Sequence, residues 1–197
     1  MGETTNMPVP ARNVRDITVE IKRFFVAQHK SRKPKGKYGI VLHINGETTE
    51  LYFGSTEATM VYVCTLLKQH ENERFYLSNL KIRTKYMRDN DREIYNWVKS
   101  VYNVLFPHPT KCFEEWYSKL YVPTDQLPGH PIYQGKSQCN RVIDSELALH
   151  PELKACFAVQ TKGRSNKMYY EINLPARARI IVSNDLCDAL DNAMNAA

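Results

Sequence analysis

Residues 157–175 read FAVQTKGRSNKMYYEINLP. Two runs of strand-forming residues flank a polar hexapeptide, 162–167, that carries one glycine and three cations. Gly163 and Asn166 can take the positive φ of a tight turn, and Tyr169 and Tyr170 suit a half-buried pleat, so the stretch predicts a β-hairpin. A tip bearing Lys162, Arg164 and Lys167 is either a solvated turn or a finger that touches phosphate.

Upstream of the hairpin, Cys139, Val142, Ile143, Glu146 and Leu147 fall at helical spacing, which predicts a helix from near Ser137 that ends at His150–Pro151. The proline-rich stretch 123–134 before it reads as loop, and Phe113, Trp116, Tyr117, Leu120 and Tyr121 as a short amphipathic helix. Ile94, Trp97, Val98, Val101, Tyr102 and Leu105 place another helix over 91–105, stopped by Pro107 and Pro109. Residues 76–88 fit no single period. Ser55 or Thr56 can cap a helix running to about Gln69. Before it, segments 38–44 and 47–53 flank Asn45–Gly46, the strongest short hairpin signal. Val14, Ile17, Ile21, Phe24, Phe25 and Gln28 sit at helical spacing, although Ile17, Val19 and Ile21 also alternate, and a helix over 13–29 is expected. HKSRKPKGK, 29–37, then reads as a basic linker. At the other end, 178–182 reads as a strand and 184–194 as a helix capped by Asn184 or Asp185.

A chain of 197 residues with 43% hydrophobic content can bury a sizeable core. Its longest apolar run, 60–67, is far too short to span a bilayer, and the polar start has no signal-peptide core, so a cytoplasmic protein without membrane attachment is expected. The five cysteines form no CxxC pair, which speaks for a reducing compartment rather than a disulfide framework. Nine of the 27 Lys and Arg residues but three of the 21 acids lie in residues 1–37, so the whole excess of +6 belongs there. The remainder balances, although Lys81, Arg83, Lys85 and Arg88 cluster, and Lys162, Arg164, Lys167, Arg177 and Arg179 face only Glu171.

The order hairpin, helices, basic hairpin, together with NRVIDSELALHPELKACFAVQTKGRSNKMYYEI at 140–172, resembles the winged-helix DNA-binding domains of response-regulator effectors. The match spans 137–174, where Thr161, Lys162, Gly163 and Arg164 with Tyr169 and Tyr170 are similar to that family's wing. The resemblance implies an α+β winged helix-turn-helix with an N-terminal antiparallel hairpin, about three core helices and a C-terminal hairpin wing. On this reading 1–37 is a basic arm, 38–183 the winged-helix domain with an insertion at about 107–135, and 184–197 a C-terminal helix. Only 37 residues precede the first sheet signal, so phosphorylation-gated control is not implied. The helix at 136–149 would enter the major groove of double-stranded DNA, with Asp144 and Glu146 facing away, and the wing at 157–174 would lie on phosphate.

Duplex affinity comes mainly from phosphate neutralisation, which Lys162, Arg164, Asn166 and Lys167 can supply. Sequence preference needs paired donors and acceptors at base edges, and Lys136, Gln138, Asn140 and Arg141 at the start of the helix offer them. Enzyme chemistry finds no support. Gly135–Lys136–Ser137 lacks the spacing and the preceding strand of a phosphate-binding loop, leaving Ser137 as a helix cap. His108 near Cys112 has no second pair of metal ligands. No catalytic residue, cofactor or metal is therefore expected. The expected function is a DNA-binding transcriptional regulator. The alternative is a winged-helix protein–protein interaction module without DNA binding, in which Trp97, Trp116, Tyr117 and Tyr121 form a partner or homodimer surface, and the balanced charge after residue 37 speaks for it.

Overall fold

The computed structural model describes residues 16–26, 35–76, 89–107, 109, 111–120, 131–164 and 167–196, and the side chains of 24–26, 35–37, 89–91 and 131–132 are not part of that description. Residues 1–15, most of the expected linker, most of the ambiguous 76–88 stretch, His108, Tyr121 and Asn166 lie outside it.

Strands β1 (Ile17–Val26), β2 (Lys35–Ile44), β3 (Glu47–Leu51) and β7 (Arg179–Val182) form one sheet in the order β3-β2-β1-β7. The expected helix over 13–29 is thus corrected to a strand. Its apolar residues satisfy both periods, and the strand is chosen by its partners: β1 pairs antiparallel with β2 from Ile17↔Ile44 to Val26↔Lys35, and parallel with β7 from Thr18↔Arg179 to Ile21↔Val182. The β-branched Ile17, Thr18, Val19 and Ile21 suit that pleat. Residues 17–26 of the expected arm therefore lie inside the sheet, and Lys35–Lys37 open β2 rather than close a linker. The hairpin at Asn45–Gly46 forms as expected, with φ of 51° and 89°, the positive pair that a two-residue turn matched to strand twist requires.

Helix α1 (Thr56–His70) is buried over every residue from Ala58 to Leu67, so it runs through the core rather than over it. Ser55 caps it by accepting from the Ala58 amide at 3.1 Å. Its buried hydroxyls are satisfied locally: Thr59 donates to the Ser55 carbonyl at 2.9 Å and Thr65 to the Val61 carbonyl at 2.6 Å. Short strand β4 (Phe75–Tyr76) follows, then α2 (Asp89–Leu105) and α3 (Phe113–Ser118). Tyr95, Tyr102, Phe113, Trp116 and Tyr117 join these two helices in a stack with ring centroids 5.0–6.0 Å apart.

Helix α4 (Pro131–Glu146) begins six residues before the expected start at Ser137 and ends before 149. Pro131, which reads as loop in isolation, stands at the first helical residue, where its missing N–H costs nothing. Ser137 is accordingly interior, donating to the Tyr133 carbonyl at 3.0 Å instead of capping. Gly135 lets α4 lie against α1: a Cβ there would sit 2.8 Å from the Glu57 carbonyl oxygen. Pro151 likewise opens a helix that the sequence reading lacks, α5 (Pro151–Phe157), which takes in the residue expected to start the hairpin. Strands β5 (Val159–Lys162) and β6 (Tyr169–Ile172) form that hairpin and, with β4, a second sheet in the order β4-β6-β5. The last helix, α6 (Asn184–Asn195), has Ser183 rather than Asn184 or Asp185 at its N-cap. The chain is thus mixed α+β, with six helices and two sheets among the described residues. No helix among them is long and apolar enough to cross a membrane.

Candidate nucleic-acid interface

The β5–β6 hairpin pairs Val159↔Ile172, Gln160↔Glu171, Thr161↔Tyr170 and Lys162↔Tyr169. Gly163 opens the tip at φ +81°, and a Cβ on it would lie 2.2 Å from the Lys167 carbonyl oxygen. Only glycine fits there, because both the left-handed backbone and the fold-back of residue 167 exclude a side chain. The Lys167 amide closes the tip by donating to the Arg164 carbonyl at 3.0 Å.

At the opposite end the hairpin is gripped from both sides on a single rung. Asn140 of α4 takes the open edge of β5: its Nδ2 donates to the Val159 carbonyl at 3.2 Å and its Oδ1 accepts from the Val159 amide at 2.9 Å. Gln69 of α1 does the same for Ile172 across the ladder, donating at 2.9 Å and accepting at 3.0 Å. Each side-chain amide stands in for one residue of a missing neighbouring strand. The Tyr62 hydroxyl adds a buried bond at 3.0 Å to the Phe157 carbonyl, two residues before β5. The hairpin base is thereby fixed to the core and the cationic end projects.

This clamp reassigns one expected base reader. Both polar atoms of Asn140 are engaged by Val159 in a paired bond, and turning the amide to pair with a base edge would break that clamp. Lys136, one turn earlier on the same side of α4, also turns to the hairpin and donates to Thr161 Oγ1 at 2.9 Å. Gln138 faces the start of α1, where Ser55 Oγ bonds its Oε1. Arg141 is exposed, in a strip with Gln134, Ser137, Asp144 and Ser145. Asp144, expected to face away from DNA, therefore stands one turn from Arg141 on the same side of the helix.

At the tip, Arg164 and Lys167 are exposed and Lys162 is half-buried. None of the ion pairs among the described residues involves these three cations. Asn166, expected to join them, lies outside the described residues. The structure adds two neighbours that sequence reasoning missed. The Arg74 guanidinium carbon lies 4.7 Å from the centre of the Tyr169 ring, and the Tyr76 hydroxyl lies beside the same guanidinium. Tyr76 and Tyr169 meet edge to face at 5.8 Å. A two-residue strand has no period to detect, so nothing in the sequence pattern could have placed Arg74 and Tyr76 here.

The three described aromatics of the alternative reading, Trp97, Trp116 and Tyr117, pack with the core. Trp116 and Tyr117 are 5% and 6% exposed, and Trp97 is half-buried beneath the Lys68 ammonium at 4.4 Å. Among the described residues no three His, Cys, Asp or Glu side chains gather in a way that could hold a metal ion. Comparison of the chain with protein-family models, with curated proteins and with solved structures finds no match to any of them.

Proposed function

We propose that this chain is a non-catalytic DNA-binding protein, a winged-helix regulator whose hairpin lies on duplex phosphate. The observation that carries the reading is a rigidly based hairpin that projects three cations, Lys162, Arg164 and Lys167, with no carboxylate partner among the described residues. Such cations repel one another and gain nothing from the fold, whereas a phosphate backbone would neutralise them and release counterions. The order of elements, a sheet with an Asn–Gly hairpin, then helices, then a cationic hairpin, supports the winged-helix assignment. On α4, Arg141 is the exposed side chain with the donors to meet a base edge, while Lys136 and Asn140 support the wing from behind.

The test is fluorescence anisotropy with a labelled random duplex across a salt series, on the full chain and on the variant combining Lys162→Ala, Arg164→Ala and Lys167→Ala. Truncation at residue 37 is unsuitable because it removes β1, an interior strand. The triple variant is expected to lose affinity roughly tenfold or more at low salt. Its log–log salt slope should flatten by nearly one per lost phosphate contact, about 3 in all. An unchanged slope rejects the wing. Arg141→Ala should leave the slope nearly intact and relax sequence preference.

A further inference from the structure

The outward face of the small sheet carries a row whose two aromatic members duplex binding does not use. Register sets Tyr76, Tyr169 and Lys162 side by side across β4, β6 and β5. The preceding row turns Phe75 and Tyr170 into the core, at 2% and 1% exposure. That buried row, with Val159 and Ile172, seats the sheet on the core. The outward rings of Tyr76 and Tyr169 are only half-buried, and Arg74 lies over one of them, so aromatic surface and a planar cation are presented together. Lys162 closes the row, and Arg164 and Lys167 continue it at the tip.

Paired bases are stacked on each other inside a duplex and offer a protein only edges and phosphates. Unpaired bases expose their faces, which stack on tyrosine rings and on guanidinium planes while cations follow the strand's phosphates. Two strand spacings separate Tyr76 from Lys162, about 10 Å. That is the length of about three stacked nucleotides at about 3.4 Å each. We propose that Arg74, Tyr76 and Tyr169 form a stacking platform for unpaired bases, with Lys162, Arg164 and Lys167 holding the phosphates of the same single strand. The proposal rests on the nucleic-acid reading above for its cations, and adds single-stranded nucleic acid as the ligand of this face.

The test compares a blunt duplex, the same duplex with a single-stranded overhang of roughly eight thymidines, within the site size of such platforms, and the thymidine strand alone. The overhang should tighten binding roughly tenfold, the value of about one stacked base. Tyr169→Leu should abolish that gain and Tyr169→Phe should keep it. On the unaltered protein, a photoreactive thiothymidine in the overhang should crosslink to the peptides holding Tyr76 or Tyr169. No gain from the overhang, or crosslinks only elsewhere, overturns the platform and leaves the duplex reading standing. Equal loss of blunt and overhang binding in Tyr169→Leu, with Tyr169→Phe unaffected, also overturns it, because the ring then serves only to support the hairpin. Binding of the single strand without binding of the blunt duplex sustains the platform and removes the duplex reading.

Discussion

On the outer face of the four-stranded sheet, Glu20 holds both Lys22 at 3.5 Å and His43 at 3.0 Å, whereas at the tip of the three-stranded sheet Lys162, Arg164 and Lys167 meet no carboxylate among the described residues. The two sheets share antiparallel hairpins, glycine turns and one half-exposed face. They differ in what they do with charge. Exposed ion pairs contribute only about 0–1 kcal/mol, so stability alone does not explain why one face pairs its cations and the other leaves them open. The open cations are available to a polyanion, and the paired ones are not. The turns differ in the same direction: a Cβ on Gly46 meets nothing within 4 Å, while one on Gly163 collides with the chain returning from residue 167. Position 163 therefore accepts only glycine, whereas position 46 has room to spare.

That contrast can be broken in several ways. The largest effect is expected from the glycines. Gly163→Ala combines left-handed strain with a backbone collision and should cost about 3 kcal/mol in chemical denaturation. Gly46→Ala carries the strain alone and should cost about 1 kcal/mol. Equal costs would mean that the two turns are equally permissive.

Next in size is the clamp. Asn140→Ala leaves the Val159 amide and carbonyl without their partners and should destabilise by about 2 kcal/mol, with DNA sequence preference unchanged. A fully stable variant with relaxed preference would return Asn140 to base reading. The smallest effect comes from adding a second carboxylate to the outward face of the small sheet, which already carries Glu171. Gln160→Glu places a carboxylate on the outward face of β5 opposite Glu171. Duplex affinity should fall about threefold at low salt and the difference should vanish as salt rises. Stability should fall by about 0.5 kcal/mol, because the new carboxylate stands directly opposite Glu171. An affinity indifferent to the added charge would argue that phosphate does not approach this face.

The expected interface was legible in part. Lys162, Arg164 and Lys167 could be read as a basic tip because a glycine-bearing polar hexapeptide between strand formers announces a hairpin. The helix side chains could not be read the same way. Lys136, Gln138, Asn140 and Arg141 look alike as polar residues near a helix start, yet only Arg141 faces open solvent without a described partner. The others turn to Thr161, Ser55 and Val159, contacts 25, 83 and 19 residues away. Arg74 and Tyr76 were invisible because they belong to a strand of two residues.

What the sequence determined by itself are the features set by local dihedral preference and by a period long enough to be unambiguous. These are the Asn45–Gly46 turn, the Gly163 tip, the Ser55-capped α1 and the apolar stripe of α2. Tertiary structure decided the rest. β1 is a strand because β2 and β7 supply backbone partners on both sides, and its side-chain pattern alone fits a helix as well. Pro131 and Pro151 open helices because the residues after them find a core to pack on. Asn140 is a clamp because α4 carries its amide to the unpaired edge of β5. In each case the deciding hydrogen bonds and contacts come from residues distant in the chain, and these have no signature in a local window.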